Sequence, residues 1–263
     1  MQYTIGTRNS PCTVAVVIKA LKQFTLRIQA SDDQRENTFL SNRFSDIKEG
    51  EETVFYIQMP LSPNVCRITL FDDVLGETSK DREPSFQVKR IYKTRLKHRH
   101  PLALLNDPKT KEFVRFAQRF CYNAGWIRAN LDDETYSSDN NEFRIKYLPI
   151  ICDGGVEVTT PARINKYTKI IEVSKRKYIG MTVPERICIL LHEYAHLFIN
   201  ANEADELEAD LNGLCIYLSL GYPRIEAYEV FIKTFYTVPT PQNLERYKHI
   251  EEFIDQFDQQ KVS

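Results

Sequence analysis

Long apolar runs, paired cysteines and an excess of one charge are all missing from these 263 residues. No stretch approaches the ~20 consecutive apolar residues that a membrane span requires, so a membrane partner is not expected. The chain opens without a basic region followed by an apolar one, and no secretory signal is read there. Thirty-five basic side chains against thirty-six acidic leave a net charge of −1. No global field therefore draws the chain to nucleic acid, which is not expected as a partner. The six cysteines, at 12, 66, 121, 152, 188 and 215, form no C-x-x-C pair and no dense framework. Cys188 and Cys215 fall within helical apolar patterns as buried thiols, a usage that fits a reducing compartment and argues against cysteine-bound zinc. A cytoplasmic setting follows as the expectation.

Histidine is absent from the first ninety-five residues, and with it any catalytic grouping. What stands there instead is β-pattern: residues 13–19 are β-branched and apolar, while 24–30, 53–59 and 65–71 alternate with period two, and 86–92 closes the series. Several short strands without convincing helices predict a β-sandwich-like domain over 1–100, suited to attachment or binding of assembly partners. Between Phe86 and His100 there are six Lys or Arg residues and no acid. That run reads as a solvated strand whose charge discourages edge pairing, with a contact to phosphate or an acidic partner as the alternative. Pro101 marks the boundary to a second domain, 101–263.

This second part alternates differently. Asp107 before Pro108 is a helix N-cap followed by proline in the first turn, and Phe113, Phe116, Ala117, Phe120 and Ala124 form its apolar stripe. A polar loop over 132–141, a strand over 143–147, a turn at 153–155 and strands over 162–166 and 169–174 follow. Thr182 and Glu185 form a capping box opening a helix with Ile187, Leu190, Leu191, Tyr194 and Phe198 inward. A break near Ala201 leads to a helix over about 203–220, with Leu207, Leu211, Leu214 and Leu218 inward. Two more helices complete the chain, the last carrying Leu244, Tyr247, Ile250, Ile254 and Phe257 on its apolar side. Helix, small mixed sheet, then four helices make an α+β fold.

The capped helix contains His192-Glu193-Tyr194-Ala195-His196. Spacing of four puts both imidazoles on one face, one turn apart, which is the H-E-x-x-H arrangement for zinc. Its flanks are strongly apolar, and buried histidines need partners. If the two helices flanking Ala201 pack antiparallel, positions equidistant from the break face each other. His196 then meets Glu206, the expected third ligand, and His192 meets Asp210, placed to accept a hydrogen bond from the ring nitrogen that does not bind metal. Glu203 is the rival ligand, in the fraying first turn. Asp205 and Glu208 point elsewhere and read as a solvated face, whereas Gly213 shares the face of Glu206 and Asp210 and permits close helix approach. Two histidines, one carboxylate and an open position suit catalytic Zn2+, with Glu193 as the general base.

The same residues resemble the gluzincin metallopeptidases, whose pattern is H-E-x-x-H followed by E-x-x-x-D. The helix and small sheet before them resemble the ImmA/IrrE-type peptidases of phages and mobile elements. The likeness covers about 108–220 and is sharp over 182–218. Residues 209–214 and 217–223 are further similar to zincin-like proteins encoded by tailed, crAss-like phages. The resemblance implies a zincin-like metallopeptidase domain. His192, His196 and Glu206 would bind zinc, Glu193 would be the base, and an edge strand within 162–174 would receive a protein or peptide substrate as an added strand. Two features depart from the family. The span from His196 to Glu206 is short, and the oxyanion-stabilising side chain is not placed, with Tyr178, Tyr217 and Tyr222 as candidates. The phage likeness implies an alternative role, a virion connector or tail component using the zincin fold as a packing module, with the host cytoplasm or the virion as its location.

Overall fold

The computed structural model describes residues 1–73, 84–96, 102–129, 135–237 and 239–257. The end of the basic run, from Lys97, and Pro101 lie outside the described residues. Two compact units divide the chain, Met1–Arg99 with Gly221–Pro223, and His100–Leu220 with Arg224–Ser263.

In the first unit, among the described residues, seven antiparallel strands build two sheets. The strands are β1 (Gln2–Gly6), β2 (Cys12–Ala20), β3 (Phe24–Asp32), β4 (Phe39–Ile47), β5 (Glu52–Met59), β6 (Val65–Asp72) and β7 (Phe86–Arg95). One sheet runs β1-β6-β3-β4 and the other β5-β2-β7. Alternation does the work the sequence promised: Leu26, Ile28 and Ala30 of β3 and Cys66, Ile68 and Leu70 of β6 are buried, as are Val14, Val16 and Ile18 of β2. Phe24 stacks on Phe86 with ring centroids 5.2 Å apart, tying the two sheets together. Strands β1 and β4 escaped the sequence reading. Both are edge strands, and β4 carries Ser41, Asn42, Arg43, Ser45 and Asp46 in a pattern too polar to stand out.

The second unit begins with a 3-10 turn at Ala103–Asn106 and α1 (Pro108–Asn123). Asp107 caps α1, its carboxylate accepting from the Thr110 N–H at 2.7 Å. A mixed sheet follows, ordered β12-β13-β9-β8, from β8 (Tyr136–Ser137), β9 (Arg144–Leu148), β12 (Ala162–Ile164) and β13 (Ile170–Ser174). Strand β8 falls where only a loop was expected: it is two residues long and follows a stretch outside the described residues. Strands β13 and β9 are parallel and the other pairs antiparallel. The turn at 153–155 closes the hairpin of β10 (Cys152–Asp153) and β11 (Val156–Glu157), where Gly154 and Gly155 take φ of 54° and 84°.

Helices α2 (Lys175–Tyr178), α3 (Val183–Phe198), α4 (Glu206–Ser219), α5 (Arg224–Thr237) and α6 (Pro241–Phe257) complete the unit. The result is an α+β fold, sheet-rich first and helical last. Among the described residues no helix is long and apolar enough to cross a membrane.

The cysteines are free thiols. Cys188 is buried as expected, whereas Cys215 is only half-buried. Helix α6 departs further from its expected stripe. Ile250 and Ile254 alone of the five are buried, Tyr247 and Phe257 are half-buried, and Leu244 is 57 % exposed. Its periodic apolar residues extend beyond the strip that meets the body of the unit.

Candidate metal centre

Helix α3 is the centre of the second unit and is buried nearly all round. Its start is fixed by the predicted capping box: the Thr182 hydroxyl accepts from the Glu185 N–H at 3.3 Å, and the Thr182 N–H donates to Glu185 Oε2 at 2.6 Å. Lys233 of α5 holds the other oxygen of Glu185 at 2.6 Å. On the back of the helix, Tyr194 stacks on Phe113 of α1 at 4.3 Å, and its hydroxyl lies 3.0 Å from that of Thr110. Two residues along a helix is about half a turn, so anchoring Tyr194 against α1 aims His192 and His196 the other way. A fully buried Arg186 donates to the carbonyls of Cys121 (3.0 Å) and Tyr178 (2.9 Å), joining α3 to the end of α1.

Helix α4 packs against α3 as the second arm of the hairpin. Gly213 makes the approach feasible: a Cβ there would meet the backbone nitrogen of His192 at 2.8 Å and the carbonyl carbon of Leu191 at 2.9 Å. Those atoms are main chain and cannot turn aside. Gly213→Ala should therefore separate the two helices slightly, costing about 1–3 kcal/mol and shifting Glu206 from the histidines. A lowered unfolding midpoint together with weaker metal binding would register both effects.

The hairpin differs from expectation at its bend. Helix α4 starts at Glu206, with Asp205 as its N-cap accepting from the Glu208 N–H at 2.9 Å. Glu203 therefore precedes the helix. Glu203 contributes its main-chain oxygen, 2.9 Å from His196 Nδ1, instead of its carboxylate. Asp205 is exposed and Glu208 half-buried, yet neither is idle: the Glu208 oxygens accept from the N–H groups of Ala201 (3.0 Å) and Asn202 (3.3 Å). Both acids that looked idle fasten the bend.

The expected ligands converge. His192 Nε2 and His196 Nε2 are 3.1 Å apart, Glu206 Oε1 is 3.5 Å from His196 Nε2, and Glu206 Oε2 is 3.6 Å from His192 Nε2. Four ligands about 2.0–2.1 Å from a zinc ion at tetrahedral angles stand about 3.3 Å from one another, so this triangle has the right edges.

The hydrogen-bonding of the imidazoles points the same way. His196 Nδ1 faces a carbonyl, which can only accept, so Nδ1 carries the hydrogen and Nε2 the lone pair. His192 Nδ1 lies 2.9 Å from Asp210 Oδ1, the carboxylate oxygen being out of line with the ring N–H. That distance to a carboxylate still assigns the Nδ1 hydrogen, although the contact is a close charge approach and not the aligned hydrogen bond expected of Asp210. Two Nε2 atoms and a carboxylate aimed at one point could hold a metal ion there, and the donor set fits zinc.

The protonation behaviour carries the same signature. Burial alone would lower the pKa of His192, but Asp210, with Glu193 and Glu206, outweighs it and lifts the value to about 9. His196 is pushed down, by burial first and by His192 second. Glu193, 6 % exposed, is pushed up to about 7, chiefly by removal from water. His192 and the donated N–H of Ile164 oppose that rise, and Glu206 adds to it. A carboxyl poised near neutrality beside two imidazoles is matched to proton transfer.

Strand β12 forms the opposite wall. The Ser174 N–H donates to Pro161 O and the Asn165 N–H to Ile170 O, so 161 and 165 face β13. By alternation the main chain of Ala162 and Ile164 turns to the sheet's outer edge. There the Ile164 N–H meets Glu193, and the Ala162 oxygen accepts from the Thr160 hydroxyl at 2.5 Å. An open cleft of about 480 Å³ lies between this edge and the histidines, lined also by Arg163, Lys166 and Ala204. The three tyrosines considered for oxyanion stabilisation do not line it. Tyr178, Tyr217 and Tyr222 are buried, with the Tyr178 hydroxyl donating to Arg186 O.

Sequence reasoning missed Arg246 of α6. Its Nε and Nη2 each lie 2.8 Å from Asp210 Oδ2, and its Nη2 is 3.2 Å from Glu206 Oε2. A weak signal existed in the three carboxylates Glu193, Glu206 and Asp210 around two histidines, a charge excess that called for a cation from elsewhere. Comparison with family models, with curated proteins and with solved structures returned no match.

Proposed function

We propose that the chain is a zinc-dependent metallopeptidase of the zincin type, acting on extended protein segments. The observation that supports it best is the convergence of His192 Nε2, His196 Nε2 and Glu206 within 3.1–3.6 Å, with Glu193 buried beside them. His192, His196 and Glu206 would hold the metal, and a fourth position would open onto the cleft. When bound, zinc supplies Lewis acidity, lowering the pKa of a water and polarising a carbonyl.

The rest is done by the chain itself. An extended substrate pairs with the outer edge of β12, which sets its scissile carbonyl across the cleft from α3. Glu193 takes a proton from the attacking water as the water oxygen bonds to the carbonyl carbon. It returns that proton to the departing nitrogen as the C–N bond breaks. A carboxyl that burial pushes up from the ordinary carboxylate range is suited to both transfers. Asp210 and the Glu203 carbonyl hold the two imidazoles so that Nε2 points to the site.

The direct test is metal stoichiometry and hydrolysis on the purified full chain. The expected result is one zinc per chain, cleavage of an unfolded protein substrate, and loss of both on replacing His196 with alanine. A chain that holds zinc and cleaves nothing across a broad peptide library would remove the peptidase and leave the metal site. A chain that binds no zinc would remove both.

A further inference from the structure

We propose that Arg246 is a positioning residue for the metal site, a guanidinium clamp from α6 that sets the orientation of both α4 carboxylates. The inference rests on the zinc-site reading above and extends it to a helix outside the motif. Asp210 is 2 % exposed and carries its charge into the interior, where an unpaired carboxylate is costly. Arg246 supplies the counter-charge through two N–H groups on one oxygen, Oδ2. The other oxygen, Oδ1, is thereby directed at His192 Nδ1.

The same guanidinium reaches Glu206 Oε2, which leaves Oε1 turned to His196. One planar group thus fixes two carboxylates a helical turn apart, a geometry suited to arginine's fork and poorly matched by the single ammonium of lysine. The clamp is itself held. Its Cζ sits 4.8 Å over the ring of Phe235 of α5, and the side chain is 15 % exposed. The pair of Arg119 with Asp139, by contrast, joins one nitrogen to one carboxylate oxygen with both side chains more than half exposed.

The consequence is that metal affinity depends on a residue that touches no metal. Outer partners of ligating groups commonly contribute 10–100-fold to affinity. Zinc affinity is measured by competition with a chromophoric chelator, and the ligand field by the visible spectrum of the cobalt-substituted protein. Arg246→Met should weaken zinc binding about 10–100-fold and alter the cobalt spectrum, with far-ultraviolet circular dichroism unchanged. Arg246→Lys should recover part of the affinity. In an Asp210→Asn background, adding Arg246→Met should weaken binding by clearly less than it does in the wild-type chain, the remainder being its hold on Glu206.

Unchanged affinity and spectrum in Arg246→Met would overturn the proposal, and so would full additivity of the two substitutions. Should Arg246→Met fail to fold, Arg246→Lys decides: affinity equal to wild type refutes the clamp and an intermediate loss supports it. Wild-type protein that binds no zinc would refute the underlying reading before any variant is compared, so the two failures are distinct.

Discussion

Glu193→Gln is expected to lower peptide hydrolysis by about 10²–10⁴-fold while one zinc per chain remains bound. The substitution keeps the shape of the side chain and removes its capacity to accept a proton. The carboxylate also accepts the Ile164 N–H, and a glutamine oxygen can still do so, so the edge strand should stay where it is. Metal binding is expected to persist because Glu193 is absent from the His192–His196–Glu206 triangle. Zinc analysis alongside initial rates separates the outcomes. Loss of zinc together with activity would place Glu193 among the ligands. Undiminished hydrolysis would remove it from the reaction.

The parts of this site that were legible in the sequence are those fixed over short distances. A capping box, an apolar flank and a four-residue spacing are local, and they located α3, its start and its functional face. Glu206 and Asp210 were legible through one assumption, that a tight break makes an antiparallel hairpin, because pairing across a hairpin is counting. The assumption failed only at the bend. There Asp205 competes for the N-cap position and shortens α4, so Glu203 serves through its carbonyl, and a main-chain atom has no residue type to betray it.

Long-range partners were not legible. Arg246 follows Asp210 by thirty-six residues and sits in a helix whose own apolar stripe is a poor guide to what it covers. The β12 edge is a similar case: its Ile164 N–H reaches Glu193 only because α3 packs beside that edge. Strands β1 and β4 were lost for a local reason: β1 is five residues with none fully buried and β4 is largely polar, whereas β5 and β7, also at sheet edges, were read from their patterns.

Without metal, the second unit is expected to lose stability as pH rises from about 5 to 9. His192 has a folded pKa of about 9 against an ordinary 6.5, so the native state holds a proton that the unfolded chain releases. Its stabilising contribution is complete below 6.5 and lost as pH climbs through 9. Glu193 runs in the same direction. Its carboxyl, raised to about 7 from an ordinary 4.5, stays protonated in the native state where the unfolded chain ionises, so stability falls between those values. At ~1.4 kcal/mol per pH unit, each group accounts for on the order of 3 kcal/mol. His196, pushed down, acts oppositely below 6.5 and offsets a part.

Zinc reverses the trend, because binding needs both Nε2 atoms free of protons and so strengthens as pH rises. The lone tryptophan, Trp126, lies in the second unit and reports its unfolding without interference from the first. Urea titrations followed by its fluorescence should give falling stability from pH 5.5 to 8.5 in chelator and rising stability in excess zinc. In Glu193→Gln the chelator curve should flatten below pH 7 and keep its fall above. A metal-free curve that rises across the whole range would mean that His192 and Glu193 do not hold their protons in the native state, and that the buried charges around α3 are balanced in some other way.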